Sequence, residues 1–234
     1  LREKLIALRR SDSYAAAFEN RHPLVSVPIA TFNVAELLVE RAIASVRAQT
    51  YDPWEIVVVG DGCTDDTAAR VEELRDPRIR FVNLPFRTLS PEAQHERWWV
   101  SGAAPYNRAI ELSRGEWIAP LDDDDEFLPN HIETLLDLAL ARRAEFVYGT
   151  LERVGIATQP GDGLFSFPPE QGRIGIQQTM YLRALDFFEW DVYSWAVEEP
   201  ADWNLIRRMR EAGVHMAATE EPVTRYYPSM GRRV

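Results

Sequence analysis

An α/β fold is what this 234-residue chain predicts: a single Rossmann-like, mainly parallel mixed sheet flanked by helices. Three observations carry that expectation. Short apolar runs alternate with segments of helical period, turn residues separate them, and the polar side chains gather just past the apolar runs. Such strand-helix-strand repetition puts strand ends, and so the polar residues, along one edge of a sheet.

The elements follow in order. After an amphipathic stretch from Leu1 to about Phe18, Val25 to Ala30 reads as a strand, Glu36 to Gln49 as a helix and Glu55 to Val59 as a second strand. Pro28 lacks the N–H of a ladder, which suggests a bulge or an unpaired position. Thr64 is placed to cap a helix that stops near Arg75, before Asp76-Pro77. Arg78 to Val82 is a third strand, Asn83 to Ser101 a long loop, Ala104 to Leu112 a helix and Trp117 to Leu121 a fourth strand. Beyond it Pro129 begins a helix to about Arg142, and Glu145 to Leu151 is a strand. Gln159 to Gly172 is irregular, and the helix Ala201 to Ala212 leads through Gly213 into a strand, Val214 to Ala218. One domain over residues 1–234 is expected, since 46% apolar residues suffice for one substantial core.

Composition narrows the function. A net charge of -11 speaks against general nucleic-acid binding, which needs clustered cations to replace phosphate counterions. An acidic protein can still hold a diphosphate through a bridging metal. Apolar stretches fall short of the roughly 20 residues of a membrane span, and no leader pattern opens the chain, although it begins at Leu1 rather than Met. A cytoplasmic location is expected. The one cysteine, Cys63, excludes an internal disulfide and a thiolate zinc cluster, and reads as a bystander.

Four consecutive aspartates, Asp122 to Asp125, follow the fourth strand. Carboxylates this close repel one another unless a cation relieves them, and a hard divalent metal is the obvious candidate. In an extended segment Asp122 and Asp124 would face one way, Asp123 and Asp125 the other. Thr31 and Asn33 end the first strand, and Asp61 and Asp65 the second, so a nucleotide crevice is plausible on pattern alone.

Val25 to Asn33, Ile56 to Thr67, Asn107 to Ile118 with the aspartates after it, and Ala201 to Leu205 are four blocks whose order gives the chain a resemblance, from Val25 to Tyr227, to the family 2 glycosyltransferases of the GT-A fold. Val25-Ser26-Val27-Pro28-Ile29-Ala30-Thr31-Phe32-Asn33 is similar to the family's opening strand, with Ala30 for its Pro and Phe32 for its Tyr. Ile56 to Thr67 is similar to the block usually containing Asp-Asp-Gly-Ser-Thr-Asp, changed at Gly60 and Cys63 but keeping Asp61. Asn107 to Ile118 precedes the aspartates as in the family, with Tyr106 in place of an Arg. Ala201-Asp202-Trp203-Asn204-Leu205 resembles the Glu-Asp block that supplies the base, with Ala201 for the Glu.

The resemblance implies a nucleotide-binding half, about 24–125, and an acceptor half, about 126–234. It implies that Asp61 accepts from the uracil imino group while Ala30, Thr31, Phe32 and Asn33 close over the base. Asp122 or Asp123 would hold the ribose, and Asp124, with Asp122, would bind Mn2+ or Mg2+ bridging the diphosphate. Asp202 would be the general base of an inverting, single-displacement transfer from a nucleotide sugar, with UDP the expected nucleoside diphosphate. Acceptor contacts are expected from Trp98 or Trp99, His95, Gln178 and Arg225, the last with a surface role as its alternative. The acceptor is a saccharide, a lipid-linked sugar or a small molecule, with a peripheral place at a membrane if it is lipid-linked. Asp65 reads as a turn and cap residue, and most tryptophans as core. Two rivals remain: a weak or inactive nucleotide-sugar-binding module, motivated by Gly60, Tyr106 and Ala201, and a haloacid-dehalogenase-like phosphatase, disfavoured by Glu126 at the fifth position of its motif.

Overall fold

The structure is a computed structural model that describes residues 1–88, 99–155 and 164–228. Eight strands form one sheet in the order β3-β2-β1-β4-β7-β6-β8-β5. The strands are β1 Val25–Thr31, β2 Trp54–Gly60, β3 Ile79–Asn83, β4 Trp117–Ile118, β5 Glu126–Phe127, β6 Phe146–Arg153, β7 Thr179–Leu182 and β8 Met216–Tyr226. Pairs β3-β2, β2-β1, β1-β4 and β6-β8 are parallel; β4-β7, β7-β6 and β8-β5 are antiparallel.

Helices α1 (Arg2–Arg9) and α2 (Asp12–Ala17) open the chain, with Ser11 capping the second through Tyr14 N at 3.2 Å. Helix α3 is wound from Ala35–Leu37, a π-helical Leu38–Ile43 and Ala44–Arg47. Then come α4 Thr67–Glu73, α5 Ala103–Leu112, α6 His131–Arg142 and α7 Ala201–Ala212.

Alternation along the central strands explains why both faces are covered. Val27, Ile29, Ile56 and Val58 join the main core, whereas Val57 and Val59 point to the opposite face and pack with Ala109 of α5, supported by Val82 and Leu112. Continuous apolar strands of this kind fit only a sheet sandwiched between helices.

Several expectations change. Pro28 sits in register with Val57 without a bulge. Its carbonyl accepts from Leu121 N at 3.1 Å, so its missing N–H faces the side where the β4 ladder has already stopped at Ile118. The fourth strand is correspondingly shorter than Trp117 to Leu121, although Ala119 N still reaches Ser26 O at 2.9 Å. Thr64 is no cap: the helix begins at Thr67 with Asp66 at the N-cap position, and Asp65, expected to cap, accepts from Thr67 N at 3.2 Å in a turn one residue earlier. Strands β5 and β7 were not expected. The last strand runs to Tyr226 rather than Ala218, bridged past Pro222 by register shifts opposite Tyr148, Thr150 and Leu151.

Candidate active site

The parallel register of β1, β2 and β4 brings the ends of all three strands to one edge. At β2, Asp61 N donates to Thr31 O at 2.8 Å, which levels the Asp61 carboxylate with the end of β1. Asp61 Oδ1 accepts from Thr88 N at 2.9 Å and from the Thr88 hydroxyl. The strap leading to Thr88 crosses close: a Cβ on Gly62, whose φ is +71°, would stand 2.5 Å from Arg87 N. Arg87 lays its guanidinium over the Phe32 ring, 3.8 Å from the centroid.

Asn33, at φ 53°, is used by the loop itself: its Oδ1 accepts from Thr64 N at 2.8 Å and its Nδ2 donates to Thr64 Oγ1 at 3.1 Å. Gly60 also has a local cause. A Cβ there would meet Asn83 Oδ1 at 2.5 Å and Cys63 Sγ at 2.9 Å, and Asn83 is committed to both the N–H and the carbonyl of Cys63 at 2.8 Å. An aspartate at 60 and the Asn83 clasp exclude each other.

The four aspartates form a turn rather than an extended segment, with Asp125 N donating to Asp122 O at 3.3 Å. The alternation expected for a strand is therefore absent. Asp122 Oδ1 accepts from the buried Tyr106 hydroxyl at 2.9 Å, an oxygen that also lies 2.9 Å from Leu121 O. Burial, then the charges of Asp124, Asp123 and Asp202, push the Asp122 carboxyl up to about 7, with the Tyr106 hydrogen bond opposing. Asp125, 1% exposed, is pushed up to about 9 by burial and then by Asp122, although it accepts from Tyr227 N at 2.9 Å.

Among the described residues no three His, Cys, Asp or Glu side chains form a ready-made metal cage. The turn suits a different arrangement. A hard cation that takes one or two carboxylates and completes its shell with water and substrate phosphate oxygens needs acidic oxygens that are crowded and poorly solvated. Asp122 meets that description, because the neighbouring Asp124 charge raises the cost of its own, and Asp124 stands beside it in the turn.

Asp202 stands in the first turn of α7, and its Oδ1 accepts from Trp203 N at 2.7 Å. Burial raises its proton affinity, and its charge reaches Asp122. Ala201 is buried, and the nearby acid is Glu199, whose two oxygens hold Arg207 at 2.7 and 2.8 Å and Asn204 at 2.7 Å. That cluster fixes the start of α7, and sequence reasoning did not foresee it. Nor did it foresee how the segments before and after the aspartate turn join: Tyr106 stacks on Trp190 with centroids 4.5 Å apart, and Asn107 exchanges two hydrogen bonds with the Trp190 backbone at 2.8 and 2.9 Å. The Tyr106 substitution was the available signal.

The acceptor-side expectations scatter. Trp99 is partly exposed, and His95 and Trp98 lie outside the described residues. Gln178 is fully buried, with Nε2 donating to Gly149 O and Leu164 O at 2.6 and 2.9 Å and Oε1 accepting from Gly175 N at 3.1 Å, so both its donors are spent and burial keeps the amide out of an acceptor's reach. Arg225 bridges Glu126 and Glu152 of the neighbouring strands at 3.0 and 3.2 Å, which is the surface role.

The sequence model of "Glycosyl transferase family 2" matches residues 26–179. The Escherichia coli UDP-Glc:alpha-D-GlcNAc-diphosphoundecaprenol beta-1,3-glucosyltransferase WfgD is 32% identical over 130 residues, 55% of this chain and 46% of that protein. The Campylobacter jejuni GalNAc(5)-diNAcBac-PP-undecaprenol beta-1,3-glucosyltransferase is 33% identical over 120 residues, 50% of this chain and 35% of that one. The chain thus spans less than half the length of either relative. Among solved structures, S. aureus TarS in complex with UDP-GlcNAc superposes with a TM-score of 0.68 at 16% identity, over 90% of this chain and 60% of that one. The mannosyltransferase PcManGT from Pyrobaculum calidifontis, in complex with GDP-Man and Mn2+, gives 0.62 at 16% identity over 99% and 69%.

Proposed function

The chain belongs to glycosyl transferase family 2 and has the GT-A fold; on that premise we propose that it transfers a sugar from a UDP-sugar to an acceptor hydroxyl by one inverting displacement. The observation that carries the reading is the placing of two acidic groups near one another: the half-buried Asp202 in the first turn of α7 and Asp122 in the aspartate turn, close enough for the one charge to act on the other. The two ends of a displacement need such a pair, one to take a proton and one to hold the leaving group.

In this reading Asp61 receives the base edge, with the Thr88 bond giving way, and Phe32 offers a ring face once Arg87 turns aside. Asp122 or Asp123 holds the ribose. Asp124 and Asp122 hold Mn2+ or Mg2+, which when bound offsets the negative charge that grows on the departing diphosphate. Asp202 removes the hydroxyl proton as the acceptor oxygen bonds to the anomeric carbon; the bond from that carbon to the diphosphate oxygen breaks, and its electron pair leaves with UDP. Its raised proton affinity suits a base. The UDP-sugars named for TarS and WfgD support the donor, and the undecaprenol-linked acceptors named for both relatives favour a lipid-linked saccharide. A peripheral place at a membrane would follow; no helix among the described residues is long and apolar enough to cross one.

The test is titration of a panel of nucleotide sugars with Mn2+, followed by transfer assays on lipid-linked and free saccharides. UDP binding that is indifferent to chelation would remove the metal from the reading. A second reading, a binding module without turnover, is favoured by Thr88 on Asp61 and by Ala201. It gains if UDP and Mn2+ bind but every acceptor stays unmodified.

A further inference from the structure

Arg41, Ser45 and Gln49 are spaced four residues apart along α3 and the turn that ends it, so they line one side of the helix. All three grip the backbone of the segment that carries the aspartates onward into α6. Arg41 Nη1 donates to Asp124 O at 2.7 Å, Phe127 N donates to Ser45 Oγ at 3.1 Å, and Gln49 donates to Leu128 O at 2.7 Å while accepting from Ile132 N at 3.1 Å. Thr50 N adds a bond to Pro129 O at 2.9 Å.

Arg41 is the member nearest the turn, and its second contact reaches the end of β8. Its guanidinium lies 3.7 Å from the centroid of the Tyr227 ring, and Tyr227 N donates to Asp125 Oδ1 at 2.9 Å. Arg41, Asp124, Asp125 and Tyr227 therefore close a circuit that joins α3, the aspartate turn and the end of β8. Arg41 also falls within the π-helical stretch Leu38–Ile43, a local winding that recurs where a helix serves a site. The chemistry of the contact matters. The described bond of Arg41 goes to the carbonyl of Asp124, so the cation steadies the backbone without consuming a carboxylate oxygen.

We propose that Arg41, clamped by the Tyr227 ring, is a positioning residue that fixes the aspartate turn so that Asp124 meets a divalent cation in one conformation. The proposal rests on the reading of Asp124 as a cation ligand. Because the guanidinium must stack flat and donate at the same time, lysine cannot replace it.

The test measures Mn2+ binding to the full chain in the presence of UDP by electron paramagnetic resonance, and UDP binding in chelator by calorimetry. Arg41→Gln, Arg41→Lys and Tyr227→Leu are each expected to weaken Mn2+ binding roughly tenfold, the scale for groups that orient metal ligands. UDP affinity in chelator should hold in all three, and Tyr227→Phe, which keeps the ring, should bind Mn2+ as the parent does. Tyr227→Leu reads the clamp from the other side should Arg41→Gln fail to fold. Unchanged Mn2+ affinity in the variants, full rescue by lysine, or an equal loss of UDP affinity in chelator would overturn the proposal. A parent protein indifferent to Mn2+ would overturn it together with the metal reading, which separates the two failures.

Discussion

Carboxylates withdrawn wholly or partly from water occupy both edges of the parallel strands, and the two edges treat them in opposite ways. At the amino edge, Glu55 and Glu145 have side chains 2% and 0% exposed, yet both carboxyls are held below the usual range. Burial opposes this, but Glu55 is overcome by Arg114 N, Ser26 and the arginines Arg114 and Arg80, and Glu145 by Arg9, His215 N and Tyr14. At the carboxyl edge, Asp122 and Asp125 are pushed up to about 7 and about 9, with burial first and aspartates as neighbours. One edge spends its carboxylates on stability, and the other crowds them against one another.

Substitutions at the two edges should therefore fail in different ways. The largest effect is expected from Asp202→Asn, which should lower kcat by about 10²- to 10⁴-fold, the usual worth of a general base, while UDP binding measured by calorimetry is retained. Retained transfer would remove Asp202 from the mechanism. At the other edge, Glu145→Ala should cost about 3 kcal/mol of stability in urea unfolding, since it leaves Arg9 and Tyr14 without their shared acceptor. Donor binding by the folded protein should be unaffected; a parallel loss would break the division of labour.

His131 sharpens the contrast as a buried titratable group that stays neutral. Burial pushes it down to about 3, and its Nδ1 lies 3.0 Å from Val223 O. The unfolded chain takes up a proton near the ordinary histidine value of 6.5 and the folded one does not. Stability is therefore full above about 6.5 and falls by about 1.4 kcal/mol per pH unit toward 3. Between pH 6.5 and 5 the loss should be about 2 kcal/mol from this group, and His131→Gln should flatten that part of the curve. The smallest effect is expected from Asp122→Asn, about 1 kcal/mol of added thermal stability from removing a buried repulsion, with UDP affinity in Mn2+ lowered about tenfold. Destabilisation instead would mean that Asp122 supports the fold through Tyr106.

What the sequence disclosed follows the same edges. β2 was legible because a strand buried on both faces reads as a continuous Val and Ile run, Ile56 to Val59, and β1 because Val25, Val27 and Ile29 recur at every second residue. Strands β5 and β7, two and four residues long, have no room for a period, and β7 pairs between β4 and β6, its place fixed by contacts far away in sequence. The extension of β8 was hidden by Glu220-Glu221-Pro222, which ends any apolar alternation. At the site, Asp61, Asp202 and the aspartate run could be named because motifs carry residue types. The turn, the Thr88 bond to Asp61 and the Trp190 stack depend on which segments meet in space. Gln178 was misjudged for the same reason: a polar residue near an irregular stretch looks available until its amide is seen bound to Gly149, Leu164 and Gly175.

The opening helices have a practical bearing on where the folded unit begins. The family match starts at residue 26, but Arg9 and Tyr14 complete the partner set of Glu145, and Arg2 reaches Glu211 O at 2.8 Å on α7, the helix that presents Asp202. A protein expressed from residue 26 would keep every motif and lose the counter-ion of a buried acid. Its poor folding could then be mistaken for lack of activity.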